Sequence, residues 1–184
     1  MIFNWFRASC PLGLREQLWV ERRMNWIVQQ FGEDRIRSAI DILPTAKNFP
    51  AGIPSDREST QALLTRLCEY LNIDPSSIEL QFFEGDVDEE AGVGQPMIQS
   101  HVCGTYSTHP TKNKMGLIRL SSRELKAKDG IVATLAHELC HHLLDGAGRL
   151  SHEWDGEMVT DLLAIMLGFG VQLANNSVYQ QSNR

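Results

Sequence analysis

The sequence has few cysteines and no long apolar run. Its four cysteines are widely spaced, and no two of them form a C-x-x-C pair, so reduced thiols in a cytosol fit this usage best. The longest apolar run, residues 162–171, is too short to span a bilayer, and polar residues interrupt the N-terminal stretch before any run of signal length. We therefore expect a cytoplasmic protein that has no membrane as a partner.

A surplus of basic residues is also missing. The chain has 17 Lys and Arg against 23 Asp and Glu, a net charge of −6, and this balance argues against nucleic acid as the primary partner. The 184 residues, 42% of them hydrophobic, suffice for a single globular domain. We expect a helix- and strand-containing part at 1–55, a core at 56–175 and a polar tail at 176–184. The oligomeric state stays open.

The segment 131–144 combines a helical apolar pattern with the metal-binding signature H-E-x-x-H at His137, Glu138 and His141. In a helix the two histidines lie one turn apart on one face, so both imidazoles can reach one cation. Glu138 flanks that cation and suits a general base acting on an activated water. His142, about 140° from His137, falls on the opposite, apolar face and is predicted to be a core or outer-shell histidine, not a ligand.

A second helical pattern follows at 157–168. Its Glu157 can supply the third protein ligand that zinc needs. Asp161, one turn later on the same face, can accept the ring N–H of a ligating histidine and fix its tautomer. Together with the first helix, this pattern predicts a Zn²⁺ site formed by His137, His141 and Glu157.

The two motifs, H-E-x-x-H and then E-x-x-x-D, resemble the gluzincin branch of zinc metallopeptidases, with its thermolysin-like arrangement on two successive helices. The resemblance covers residues 114–168 and implies a minimal form, because the chain is short for a full gluzincin peptidase. It implies zinc ligands His137, His141 and Glu157, catalytic base Glu138, and Asp161 as the partner of His137. It also implies that a strand holds extended substrate, with residues 116–120 as the candidate. The metzincin variant is excluded because position 147 is Ala where a third histidine would stand.

The rest of the chain predicts an α+β fold around these helices. Amphipathic segments predict helices, and short alternating segments predict strands. The expected helices lie at 11–31 and 59–71, and the expected strands at 39–43, 78–83, 101–107 and 114–121. Together with the resemblance, these elements imply a zincin-like architecture. In it a small mixed sheet packs on the metal-binding helix, a second ligand-bearing helix follows, and a further helix lies at the N-terminus.

These residues favour peptide bond hydrolysis by a metalloendopeptidase that acts on a peptide or protein. Glu138 would take a proton from the attacking water and deliver it to the leaving amine. Three residues are candidates for contacting the oxyanion or the substrate, with a structural or solvent-exposed role as the alternative for each: Tyr106, His109 and His152. The alternative is a zinc-stabilised regulatory or protein-interaction module without proteolytic activity, although three non-thiol ligands and a spare glutamate favour the enzyme. A peptidase of narrow specificity for one regulatory protein also stays open.

An acidic, glycine-rich stretch at 84–94 carries five carboxylates within seven positions. It does not supply the oxygen ligands of an EF-hand calcium site in register. Two interpretations remain, a solvated surface loop and a lid that favours basic substrates.

Overall fold

The computed structural model describes residues 10–52, 54–84, 103–109, 115–122, 125, 130–145, 148–149 and 154–182, with only the backbone at 178–182. Backbone contacts divide the chain into two compact units, Met1–Ser38 and Ala39–Arg184. The second unit contains both helices of the predicted site. The single domain with internal boundaries at 55 and 175 stays a prediction.

The first unit contains helix α1 (Leu14–Phe31) and the short helix α2 (Glu33–Arg37). Gly32 separates them with a φ of 88°, a left-handed conformation that glycine adopts without strain. Its N–H ends α1 by donating to the carbonyl of Val28 at 2.9 Å. α1 confirms the helix predicted near the N-terminus.

The second unit begins with an irregular segment at 39–43, where a strand was predicted. Ile42 donates its N–H to the carbonyl of Gly168 at 2.8 Å, and its carbonyl accepts a hydrogen bond from the side chain of Gln172. Ile42 is 2% exposed. The strand prediction was wrong because this isoleucine is buried against a break between two helices, and its backbone bonds go there instead of to a strand.

Helix α3 (Arg57–Leu71) confirms the predicted helix at 59–71 and starts two residues earlier. A capping box fixes its start, since the Asp56 carboxylate accepts from the N–H of Ser59 and the Ser59 hydroxyl accepts from the N–H of Asp56. Its inner face is buried, with Leu64 and Leu67 at 0% exposure. A 3₁₀ turn (Pro75–Ser77) then leads into the sheet.

The sheet has three strands, β1 (Ile78–Phe83), β2 (Gly104–Thr108) and β3 (Gly116–Ser121). β3 lies between the other two, parallel to β1 and antiparallel to β2, which confirms a small mixed sheet. Because both edges of β3 are paired, the prediction that residues 116–120 hold substrate through their backbone was wrong. Within the described residues β2 is an edge strand, and it contacts the metal-motif helix.

Helix α4 (Ile131–Leu144) carries the H-E-x-x-H motif and packs against α3, β2 and the following helix, α5 (Gly156–Ala164). Its apolar side is buried as predicted, with Leu135 and Leu139 at 0% exposure. The mixed α+β architecture is therefore confirmed.

α5 passes through a π-helical turn (Ile165–Phe169) into helix α6 (Gly170–Ser182). Gly168 has a φ of 99°, and a Cβ there would overlap the carbonyl oxygen of Ile40, so the position requires glycine. Residues 176–182 are helical, so this part of the predicted polar tail belongs to α6.

The stretch Gly156–Ser177 is long and apolar enough to cross a membrane, with a mean hydropathy of 1.5. Half of it is buried inside the protein. Because the core helix of a soluble protein passes the same test, this stretch is weak evidence for a membrane span.

Candidate metal centre

Two histidines of α4 and one glutamate of α5 converge on a common point. The Nε2 atoms of His137 and His141 lie 3.1 Å apart. Glu157, in the first turn of α5, places Oε2 3.1 Å from Nε2 of His137 and Oε1 3.4 Å from Nε2 of His141. One potential ligand atom from each residue lies within 4.8 Å of the others. The structure thus brings together the three residues predicted as ligands.

A carboxylate contacts the other ring nitrogen of each histidine. Nδ1 of His137 lies 2.8 Å from Asp161, the residue predicted for this place, and Nδ1 of His141 lies 3.0 Å from Asp145. An ionised carboxylate can only accept, so each Nδ1 carries the proton and donates it. In the neutral rings both Nε2 lone pairs then face the Glu157 carboxylate, an arrangement that is repulsive unless a cation lies between them.

The contact between Asp145 and His141 was not predicted from the sequence. The signal was present, because Asp145 follows His141 by four residues and lies one turn further along the same face. Both histidines therefore have the same arrangement, in which Nδ1 bonds to an aspartate and Nε2 faces Glu157.

The pKa shifts in the cluster also favour positive charge between the two rings and Glu157. Burial lowers the pKa of His137, but its hydrogen bonds to Asp161 and Glu157 outweigh burial and raise that pKa to about 10. Burial also opposes a rise in the pKa of His141, yet the hydrogen bond to Glu157 raises it. The same hydrogen bonds hold the pKa of Glu157 well below its usual range. A metal ion would replace the protons that the two rings otherwise bind.

The donor set fits Zn²⁺. With zinc–nitrogen distances of about 2.0–2.1 Å, neighbouring donors in a tetrahedral site lie about 3.3 Å apart. The two Nε2 atoms lie 3.1 Å apart, and they lie 3.1 and 3.4 Å from the two different oxygens of the Glu157 carboxylate. Two imidazoles and one carboxylate are ligands of catalytic zinc sites, which keep a fourth position for water. Glu157 is 78% exposed at its side chain, so this side of the cluster is accessible from solvent.

Glu138 lies in the same helix, beside the cluster, and is only 5% exposed. Burial raises its pKa to about 7 against the opposing effect of the two histidines. None of the hydrogen bonds formed by the described residues engages its carboxylate. A carboxylate with a pKa near neutrality can both take up and release a proton at physiological pH.

β2 approaches Glu138 closely at Gly104. A Cβ at this position would lie 2.8 Å from Cγ2 of Thr134, 3.2 Å from Oε1 of Glu138 and 3.3 Å from its Cγ. Any larger residue would displace at least one of these side chains. Gly104 therefore helps to set the position of the Glu138 carboxylate.

The cluster opens into a cleft of about 380 Å³. α4 contributes His137 and Glu138 to its lining, and β2 contributes Gly104. A further wall comes from α6, through Leu173, Asn176 and Ser177. Sequence analysis missed this wall because residues from 176 onward were expected to form a tail.

Tyr106, a predicted oxyanion contact, has its hydroxyl engaged elsewhere. Its ring stacks on His141 with centroids 6.3 Å apart, but its hydroxyl lies 3.1 Å from Nδ1 of His142. His142 also approaches the Ser77 hydroxyl at 3.5 Å, and burial lowers its pKa. His142 is therefore a half-buried histidine on the sheet side of α4, as its position in the helix predicted.

His109, the second predicted contact, bonds outside the described lining of the cleft. Nε2 of His109 lies 3.3 Å from Glu79, and His109 is not among the described residues that line the cleft. His152 lies outside the described residues, as does the acidic stretch 84–94 apart from Glu84. The proposed lid therefore stays a prediction.

Comparison with known proteins gives no match. The chain matches no protein family, no curated protein and no solved structure. The geometry described above is therefore the basis for any proposal about function.

Proposed function

We propose that the protein is a minimal, gluzincin-like and zincin-like zinc metallopeptidase that hydrolyses peptide bonds. The supporting observation is the convergence of two Nε2 lone pairs and one carboxylate within 4.8 Å of one another, with the Nδ1 of each ring bonded to a second carboxylate. A buried carboxylate with a pKa near 7 lies in the same cleft. A structural zinc site has no use for such a group.

Four residues of this chain would hold the metal and transfer the proton. His137, His141 and Glu157 would bind Zn²⁺, which when bound supplies a Lewis acid that polarises the substrate carbonyl and activates water. Glu138 would accept the proton of the attacking water and return it to the leaving nitrogen. Asp161 and Asp145 would keep both rings in the Nδ1–H tautomer.

The edge of β2 is the place where an extended substrate would bind. Cys103 accepts a hydrogen bond from Ser121, and His109 donates one to Met115. In an antiparallel pair such residues alternate with ones whose backbone groups point the other way. Gly104, Tyr106 and Thr108 would thus offer N–H and C=O groups to a substrate strand beside the cleft.

The proposal includes a peptide or protein as the partner and a cytoplasmic location. The four cysteines, none of which forms a disulfide in the described part of the chain, support the location. The net charge of −6 supports a partner other than nucleic acid.

The test is Glu138→Gln in protein purified without a metal-chelating tag. We expect wild type and variant to contain one zinc per chain, and the variant to cut a peptide library roughly 100- to 10,000-fold more slowly, because an amide cannot act as the base. Glu58→Gln, at an exposed position of α3, is the matched control and should cut normally. Elemental analysis and mass spectrometry of the peptides measure both quantities.

Two results would contradict the proposal. Cleavage by Glu138→Gln at the wild-type rate would remove Glu138 from the reaction. Zinc-loaded wild type that cuts no peptide in the library would favour the competing function, a zinc-stabilised regulatory or interaction module.

A further inference from the structure

One amide side chain of the cleft lining has no hydrogen-bond partner among the described residues. Asn176, on α6, is half-buried, and no hydrogen bond within the described part of the chain engages its carboxamide. Its neighbour Ser177 is committed, because its hydroxyl donates to the carbonyl of Leu173 at 2.9 Å. The Asn176 N–H groups are therefore available to a molecule in the cleft.

The metal cluster itself offers no spare donor. The N–H groups of both histidines are used on Asp161 and Asp145, and Glu157 is an acceptor. Hydrolysis of a peptide bond, however, turns the carbonyl oxygen of the substrate into an oxyanion, which a positioned donor stabilises strongly. The Tyr106 hydroxyl, one donor expected from sequence, is bonded to His142.

α6 and β2 both line the cleft. A substrate paired with the edge of β2 that no described strand occupies would thus lie beside α6. An asparagine carboxamide is neutral, so it does not compete for the metal as a carboxylate or imidazole would, and it keeps its donor N–H at every pH near neutrality.

We propose that Asn176 donates a hydrogen bond to the carbonyl oxygen of the scissile peptide group and holds the oxyanion that forms from it. This inference rests on the proposed hydrolytic function. In that reaction the water oxygen bonds to the carbonyl carbon, the C–N bond then breaks, and the proton taken by Glu138 ends on the leaving amine. Asn176 transfers no proton and stabilises the intermediate charge only.

The test measures inhibitor binding, so it does not depend on activity. The probes are acetyl-Ala-Ala-ψ[PO₂CH₂]-Ala-Ala-amide, a phosphinic peptide with a tetrahedral anion in a peptide backbone, and acetohydroxamate, which contacts little beyond the metal. For zinc-loaded Asn176→Ala we expect the Kd of the phosphinic peptide to rise about 10- to 100-fold, as for loss of a hydrogen bond to a charged group. The Kd of acetohydroxamate should not change.

Two further variants sharpen the test. Asn176→Asp should weaken the phosphinic peptide more than Asn176→Ala does, because a carboxylate repels the anion. Asn175→Ala removes the neighbouring asparagine, which is exposed and does not line the cleft, and should leave both Kd values unchanged. If a cleaved peptide is found, Asn176→Ala should lower kcat with little change in KM.

A phosphinic peptide that binds Asn176→Ala as tightly as wild type would overturn the inference. So would zinc-loaded wild type that binds acetohydroxamate but not the phosphinic peptide. A protein that binds the phosphinic peptide through Asn176 yet cuts no peptide would instead refute the hydrolytic function and leave the contact established. The two failures are therefore distinguishable.

Discussion

Helix α4 has two faces that use the same residue type in opposite ways. On the face toward α5, His141 lies against Glu157 and Asp145, and its pKa is raised. On the face toward the sheet, His142 lies against Tyr106 and Ser77, and burial lowers its pKa. Adjacent histidines thus differ because carboxylates surround one ring and neutral groups surround the other. The proposed metal site therefore includes His141 and not its neighbour His142.

A glycine of the sheet supports each face. Gly104 of β2 leaves room for Thr134 and Glu138 on the face toward the cleft. Gly116 of β3 leaves room for His142 and Tyr106, since a Cβ there would lie 2.8 Å from Nδ1 of His142 and 2.9 Å from Cε2 of Tyr106. Substitutions at the two glycines can therefore test the two faces separately.

The largest expected effect separates the two adjacent histidines. His141→Ala should lower zinc affinity by more than about 100-fold, more than the loss of an outer-shell partner, because three ligands leave no redundancy. His142→Ala should keep one zinc per chain and lower Tm, since it removes a packed ring from the sheet side. Chelator competition and elemental analysis measure the affinity and the content. Equal zinc in His141→Ala and wild type would refute the metal site.

The next effect compares the two glycines. Gly104→Ala should lower kcat up to about 100-fold, since displacing a catalytic group by about 1 Å has an effect of this size. Its zinc content should be normal. Gly116→Ala should keep the metal and the reaction and cost about 1–3 kcal/mol of unfolding free energy, as overpacking does.

The readouts are steady-state kinetics and urea unfolding of both variants. Loss of activity in Gly116→Ala with unchanged stability, or the reverse in Gly104→Ala, would show that the two faces are not independent.

Both faces of α4 follow from sequence spacing, because a regular helix places residues 137, 138 and 141 on one side and 135, 139 and 142 on the other. Asp161 was also found at its predicted place, since the offset of four residues from Glu157 needs nothing but helix geometry. The mixed sheet was predicted in composition, but strand order was not. Alternation within strands does not encode which strand lies in the centre.

The missed features depend on contacts between distant segments. Ile42 bonds to Gly168 across more than a hundred residues, so its local apolar pattern resembled a strand. Asn176 lines the cleft only because α6 continues after the helix break at Gly168. The polar composition after residue 175 carries no information about the cleft beside this helix.

A smaller effect is expected at the two carboxylates that bond to Nδ1 of His137 and His141. Asp145→Asn and Asp161→Asn should each weaken zinc binding by roughly 10-fold, at the low end for outer-shell partners because both side chains are partly exposed. Asp34→Asn, at an exposed position of α2, is the control and should bind zinc normally. Unchanged affinity in Asp145→Asn alone would show that His141 needs no partner to fix its tautomer.

The smallest effect concerns Glu138 in metal-free protein. Its folded pKa of about 7 lies above its ordinary value of 4.5 because burial disfavours the charged form. Its contribution to stability is therefore fully present below pH 4.5 and is lost as pH rises through about 7. Glu138→Gln cannot ionise and escapes this loss.

With a chelator present, Glu138→Gln should have the same Tm as wild type near pH 4.5 and a Tm a few degrees higher near pH 8. In a chain of this size, each kcal/mol of unfolding free energy shifts Tm by roughly 2–4 °C. Contributions from the two histidines cancel to first order in this comparison because both proteins contain them. Glu58→Gln should show no such divergence, since Glu58 is exposed. Parallel Tm curves for Glu138→Gln and wild type across this pH range would mean that ionisation of the buried Glu138 carboxylate does not destabilise the fold. The face of α4 toward α5 would then lack a carboxylate with a raised pKa, the group that distinguishes it from the face toward the sheet.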